Sequence, residues 1–487
     1  MENGMKRRTF LAGFVTGTMT AGFGSVSLSQ ASARRLEMPP LLDATTSGRF
    51  RLEAQTGRSV FTGSSPTGTW GFNQPFLGPT LRLATGRVTA AEVRNSLDEP
   101  ISVHWHGLLV PGEVDGGPHQ TIAPADTWFP ELPIGQPAAT AWYHSHAHGA
   151  TARQVQMGLA GVLQVSDGQD DARGLPSRYG VDDLTLVLQD RRFTGQGAID
   201  LSLSMPDRMM GFLGDTILVN GQVGVTAVVP KGLVRLRLVN GSNARIYDLA
   251  FSDNRPMHLV ATDGGYLDRP IQLSNLRLSP GERVELLVDF ATGSDVVLTS
   301  GQNPNVGMMG GMMGGRRAQG GRFSVLPFST DSSAPARITK LPTDLGGGRP
   351  DDDATGAPMR RLSLDMPMGM GMMRGGAGGQ FSINGAAFAM NKINFGIERG
   401  TMERWTVSAA MMMHPFHIHG VRFQVLAENG HAPQPPNTGW KDTVLVNGSV
   451  DLLARFDHPA PVQAPYLYHC HILEHEDAGM MGQFTVD

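Results

Sequence analysis

Ten of the fifteen histidines in this 487-residue chain fall in four short stretches. They are HWH (His104, His106), HSH (His144, His146), HPFHIH (His414, His417, His419) and HCHILEH (His469, His471, His475). Alternate side chains of an extended strand share a face, so each H-x-H aims two imidazoles at one place and turns the middle residue away. A single zinc is satisfied by about four ligands. Four pairs offer twice that number of nitrogens, so the pattern predicts a cluster of ions. One H-x-H alone carries little weight; four pairs beside a cysteine carry much more.

The only cysteine, Cys470, sits between His469 and His471. A lone buried thiol is ordinarily inert packing. Here the flanking histidines face one way along the strand, so Cys470 must face the other. The thiol then serves a second metal, joined by His475, Met480 and an imidazole from elsewhere, for which His414 is the candidate. Cysteine, two histidines and a weak axial methionine form the ligand set of a blue-copper electron-transfer centre. Because its covalent neighbours belong to the other cluster, Cys470 would also act as a short wire between two metal sites.

Elements that could hold such residues are short strands. The chain has 62 glycines and 32 prolines, and valine-rich alternating runs such as GLVRLRLVNGS recur. Strands with Gly/Pro turns predict an all-β protein. A chain of this length is too long for one core. Three similar segments begin near residues 70, 217 and 381, with Asn73, Asn220 and Asn384 as landmarks. The spacing is that of one small β-sandwich per repeat. The first and third repeats also share their ends, AWYHSHAHG and YLYHCHILEHE, and both kept metal ligands. The second holds only His258 and reads as a spacer.

Taken together, HWHGLLVPGEVDGGP, MGLAGVLQV, SDNRP, HPFHIHG, GWKDTV and HCHILEHEDAGMM closely resemble the three-domain multicopper oxidases. The likeness is greatest to the periplasmic cuprous oxidases and covers nearly the whole chain after its N-terminal segment. It implies three cupredoxin-like Greek-key β-sandwich domains in tandem, at 34–168, 169–340 and 341–487. It implies four copper ions: one type 1, one type 2 and a type 3 pair. By the same resemblance, type 1 copper takes His414, Cys470, His475 and Met480. Type 2 takes His104 and His419. One type 3 copper takes His106, His144 and His471, and the other takes His146, His417 and His469. Asp115 and Glu476 match the family's proton-handling acids, and reduction of dioxygen to water needs protons as well as electrons. The plain alternatives are a turn residue for Asp115 and a surface acid for Glu476. His148 is expected to support a ligand from behind.

Residues 1–33 resemble a twin-arginine export signal, with Arg7 and Arg8 before a mildly apolar run and ASA at 31–33 as a processing site. Periplasmic location follows, without stable membrane insertion. A net charge of −4 offers no field for nucleic acid. The expected partners are dioxygen and small reducing substrates, and the expected state is a monomer. Soft thioethers favour Cu(I). Two Met/Gly segments, 306–321 and 364–379, suit a cuprous substrate, and low-complexity linkers are the plain alternative. Met366 and Met412 match the substrate-copper methionines of cuprous oxidases. The acidic partners there are replaced by Ala410 and a glycine, unless Asp365 substitutes. A broader laccase-like oxidase of phenols or Fe(II) is the alternative, and a non-enzymatic protein of the same fold is the remote one.

Overall fold

The computed structural model describes Met1 and residues 34–63, 65–309, 321–335, 337–348, 354–366 and 381–487. The segment expected to be an export signal, with Arg7, Arg8 and the ASA site, and most of both Met/Gly segments lie outside the described residues. Among the described residues no helix is long and apolar enough to cross a membrane.

Strands dominate, and they sort into three layered units along the chain. In the first, a sheet ordered Leu41–Asp43, Thr80–Ala84, Ala160–Ser166, Ala139–His144 accompanies one built on Thr67–Phe72, Arg49–Ser59 and Arg87–Asn95. Leu52 and Val93 from one sheet and Leu81, Leu83 and Leu163 from the other share a core with Trp105. The second unit has two six-stranded sheets. Their inward faces meet through Leu186, Leu236, Leu286, Leu249 and Leu298. Arg34–Arg35 pairs in parallel with Val225 and Thr226 of this second unit. The third is an eight-stranded sheet centred on the long strand Met402–Ile418.

The three landmark asparagines do one job three times. Asn73, Asn220 and Asn384 have φ of 58°, 51° and 53°, a left-handed turn conformation that asparagine tolerates better than most residues. Each side-chain oxygen accepts a main-chain N–H, from Glu53, Val187 and Ser363 respectively. Each side-chain amide donates to a carbonyl two residues earlier, at Arg51, Thr185 and Arg361. The sequence repeat is thus a structural one. The three sandwiches pack into one unit, Arg34–Asp487.

The strand Met402–Ile418 deserves its length. Its first half pairs in parallel with Met359–Asp365 and its last residues pair with Tyr466–Cys470. Between Ala409 and His414 the register shifts. Such a bulge re-aims the side chains that follow it. Here those are His414 on one face and His417 and His419 on the other.

Candidate metal centre

All four H-x-H pairs and Asp115 meet in one buried place, where the first and third sandwiches face each other. The eight rings are at most 1% exposed. Ring centroids within each pair lie 5.0 to 5.8 Å apart. A short antiparallel bridge joins His104 to His144. In the third sandwich His417 lies directly opposite His469 across the strand pair.

Hydrogen bonds decide which nitrogen each ring presents. His104 donates Nδ1–H to the carbonyl of Asp115 at 3.0 Å, and His417 donates its own to the carbonyl of Asp442 at 2.8 Å. Their bare Nε2 atoms then face each other at 3.4 Å. His419 gives Nδ1–H to Asp115 Oδ2 at 2.7 Å, and His469 gives its own to the Cys470 carbonyl at 3.0 Å. Nε2 of His469 lies 3.2 Å from that of His419 and 3.3 Å from that of His146. His144 donates Nδ1–H to the Ser145 carbonyl, leaving Nε2 without a partner. Nδ1 of His106 and Nε2 of His471 are also buried without partners. Buried polar atoms are almost always paired, and leaving them bare is costly. A set of bare nitrogens turned on one another is what a group of cations would satisfy.

Three all-histidine groupings result: His104, His417 and His419; His106, His144 and His471; His146, His419 and His469; His106 and His417 also group with Asp442. The second coincides with the triad expected from sequence. The third does not, because His419 stands where His417 was expected. The two histidines share a strand face, with ring centroids 5.0 Å apart. His104 groups with both of them, and the shortest nitrogen contacts tell them apart. His417 Nε2 lies 3.4 Å from His104 Nε2, and His419 Nε2 lies 3.2 Å from His469 Nε2.

Burial pushes six of these imidazoles down. His146 falls to about 4, and His471 to about 3 with help from its neighbour His469. Burial also lowers His106, His144, His417 and His419 well below the usual value. Neutral imidazole is the form that binds metal.

On the opposite face of the Tyr466–Cys470 strand lies the second site. His414 Nδ1 is 3.3 Å from Cys470 Sγ, and His475 Nδ1 is 3.8 Å from it. Met480 is fully buried in the same apolar cluster. Nε2 of His475 donates to the carbonyl of Met209 at 3.1 Å, so Nδ1 is the nitrogen left for a metal. Burial pushes the Cys470 thiol upward, and a coordinating metal would deprotonate it outright. His414 is lowered to about 4 by burial alone.

The two acids are buried as well. Asp115 is 2% exposed and Glu476 1%. Glu476 lies 3.2 Å from His469 Nδ1 and 3.5 Å from His146 Nδ1, so it is no surface acid. Met412 is buried and Met366 half-buried, both against the core that contains Cys470. Asp365 Oδ2 accepts from Ser363 Oγ and the N–H of Gly385, which ties that oxygen to a turn. His148 is exposed and packs on Phe388, away from the cluster.

Sequence reasoning missed the middle sandwich. It supplies Met209 to His475, and Arg283 to Asp442, which in turn contacts His106. The segment GWKDTV carried the only available signal for Asp442. Arg283 opens the strand RVELLVD and looks like any solvated strand end.

Family models described as multicopper oxidase match residues 53–170, 140–298 and 361–487. The chain belongs to the multicopper oxidase family. Among its relatives is cell division protein FtsP of Yersinia pestis, 37% identical over 99% of this chain and 98% of that one. Among solved structures, the laccase-like multicopper oxidase CueO from Ochrobactrum sp. is 41% identical, with a TM-score of 0.86 over 93% of this chain and 100% of that one. A laccase from Pediococcus acidilactici is 33% identical, with a TM-score of 0.80 over 93% and 94%. Membership in this family brings copper binding and oxidase chemistry, and the donor set described above fits copper.

Proposed function

We propose that this chain is an exported oxidase holding one type 1, one type 2 and a pair of type 3 coppers, made with a signal at 1–33 and domains at 34–168, 169–340 and 341–487. His414, Cys470, His475 and Met480 would hold the type 1 ion, and His104 and His417 the type 2 ion. His106, His144 and His471 would hold one type 3 ion, and His146, His419 and His469 the other. Bound copper supplies one-electron uptake at the Cys470 site and reduction of dioxygen to water at the histidine cluster. One observation carries this reading: eight histidines tied from behind or left bare aim unprotonated nitrogens at one another beside a thiol on the reverse of the same strand.

The protein's own groups then have definite tasks. Cys470 is covalently continuous with His469 and His471, which gives electrons a short route between faces. Asp115 uses Oδ2 to orient His419, while its buried Oδ1 has no partner and is the atom free to hold a proton. Glu476 stands beside His146 and His469 as a second proton-handling carboxylate.

A cavity of about 630 Å³ approaches the type 1 side. Its lining includes Leu203, Met205, Met209 and Phe381. Phe381 stacks on the His475 ring at 4.1 Å. Thioethers here and at Met366 and Met412 support Cu(I) as the donor, with copper tolerance in the periplasm as the role. The apolar part of a lining that also holds Arg153, Arg208, Glu474 and Asp477 favours a second reading, a phenolic donor, and the Ochrobactrum relative is described as active toward lignin model compounds. A part in cell division, after the name of the FtsP relatives, is a non-enzymatic alternative. Oxygen uptake by the copper-loaded protein with Cu(I), Fe(II) and a phenol side by side tests all three. Fast turnover of Cu(I) supports the first reading, preference for phenol the second, and no oxygen uptake with any donor would favour the third.

A further inference from the structure

The middle sandwich contributes no histidine to the cluster, yet it reaches it through one turn. Arg283 is fully buried at the start of Arg283–Asp289. Its Nη1 and Nη2 form a fork on Asp442, at 2.6 Å to Oδ1 and 2.5 Å to Oδ2. The remaining N–H groups go to the carbonyls of Thr140, Gly281 and Asp263, each at 3.1 Å. All five donors of the guanidinium are used. Planar paired contacts of this kind fix the orientation of a carboxylate as well as its charge.

Asp442 Oδ1 lies 3.1 Å from Nε2 of His106. Thr443 Oγ1 lies 3.0 Å from the same nitrogen and spends its own proton on Asp442 Oδ1. Both partners of Nε2 are therefore acceptors, so Nε2 carries the ring proton and Nδ1 is left bare. His106 thus reverses the pattern: His104, His144, His417, His419 and His469 are all tied at Nδ1. The packing leaves little room for another arrangement. A Cβ on Gly107, the residue after His106, would lie 2.4 Å from Arg283 Nη2, and one on Gly281 would lie 2.8 Å from His471 Cδ2.

We infer that Arg283 is a positioning residue: by clamping Asp442 it selects the His106 tautomer that turns Nδ1 toward His144 and His471. The inference rests on the copper reading above only for its consequence in the loaded enzyme. The hydrogen-bond arrangement itself is a property of the metal-free chain.

The test uses Arg283→Lys, which keeps the charge but loses the planar fork, alongside Arg283→Met. Nitrogen-15 NMR of histidine-labelled, metal-free protein reads the tautomer, with the His106 signal assigned by a His106→Gln variant. The wild type should show Nε2–H at His106, and Arg283→Lys should show a mixture or the reverse. After copper loading, Arg283→Lys should keep the blue band of the type 1 site. It should lose the near-ultraviolet absorption of the coupled pair and at least one copper. Turnover should fall about tenfold or more with the donor KM unchanged, the scale expected when the support behind a metal ligand is removed. Should Arg283→Met fail to fold, Arg283→Lys decides alone. A wild-type His106 protonated at Nδ1 would overturn the inference. So would an Arg283→Lys protein that retains Nε2–H, the full copper complement and the near-ultraviolet band. A wild type that shows Nε2–H but takes up no copper would count against the oxidase reading and leave the positioning role standing.

Discussion

Asp115 Oδ2 accepts the Nδ1–H of His419 at 2.7 Å, while the main-chain oxygen of the same residue takes the Nδ1–H of His104. One residue of the first sandwich thereby orients a ring from each of the two sandwiches that form the cluster. Its second carboxylate oxygen is buried and unpaired.

Asp115→Asn should separate those roles. The amide oxygen can still accept from His419, so the cluster should assemble, but an amide cannot carry a proton as a carboxylate can. Dioxygen consumption should fall by about 10- to 100-fold. Anaerobic bleaching of the blue band by a donor should proceed at the wild-type rate. Equal slowing of both steps would assign Asp115 a purely structural role.

The metal-free protein should lose stability in mild acid. His146 and His414 are lowered to about 4 and His471 to about 3, whereas an unfolded chain protonates near 6.5. Between those values the unfolded chain binds more protons, so stability rises with pH from about 4 to about 6.5. His106, His144, His417, His419 and His475 are lowered in the same sense. Burial raises Asp263, and raises Glu474 to about 7, which opposes the trend with fewer groups. Thermal melts of copper-free protein across that interval should show Tm climbing with pH; a flat or falling series would contradict the burial of neutral rings.

Met366→Leu and Met412→Leu, combined, should keep the fold, since Met-to-Leu exchange in a core usually costs less than ~1.5 kcal/mol. Loss of two thioethers should raise the KM for Cu(I) about tenfold, equivalent to ~1.4 kcal/mol of binding. Oxidation of a phenol should hold steady. Steady-state kinetics with both donors checks this, and an unchanged KM for Cu(I) would remove these methionines from the substrate site.

The fold was legible because its signals are local and repeated. Three asparagines at matching places in three repeats each require the same left-handed turn, and the structure gives all three the same bonds. The alternation that sends Cys470 away from His469 and His471 follows from strand geometry alone. What the chain could not reveal depends on register between distant strands. His417 and His419 look interchangeable in HPFHIH, and only their contacts with rings from other strands, His104 at 3.4 Å and His469 at 3.2 Å, separate them. Arg283 was equally hidden. Its partner is 159 residues away, and a charged residue opening a strand carries no mark of burial.

The most direct test of the central claim compares copper content and visible absorption of the wild type with those of Cys470→Ser. The buried thiol faces His414 and His475 on the reverse of the strand that carries His469 and His471. A hydroxyl is a poor ligand for the soft type 1 ion, while the histidines on the other face are untouched. The wild type should be blue with four coppers per chain, and the variant colourless with three. A wild type without blue colour, or a Cys470→Ser protein that retains it, would rule out a type 1 copper at Cys470.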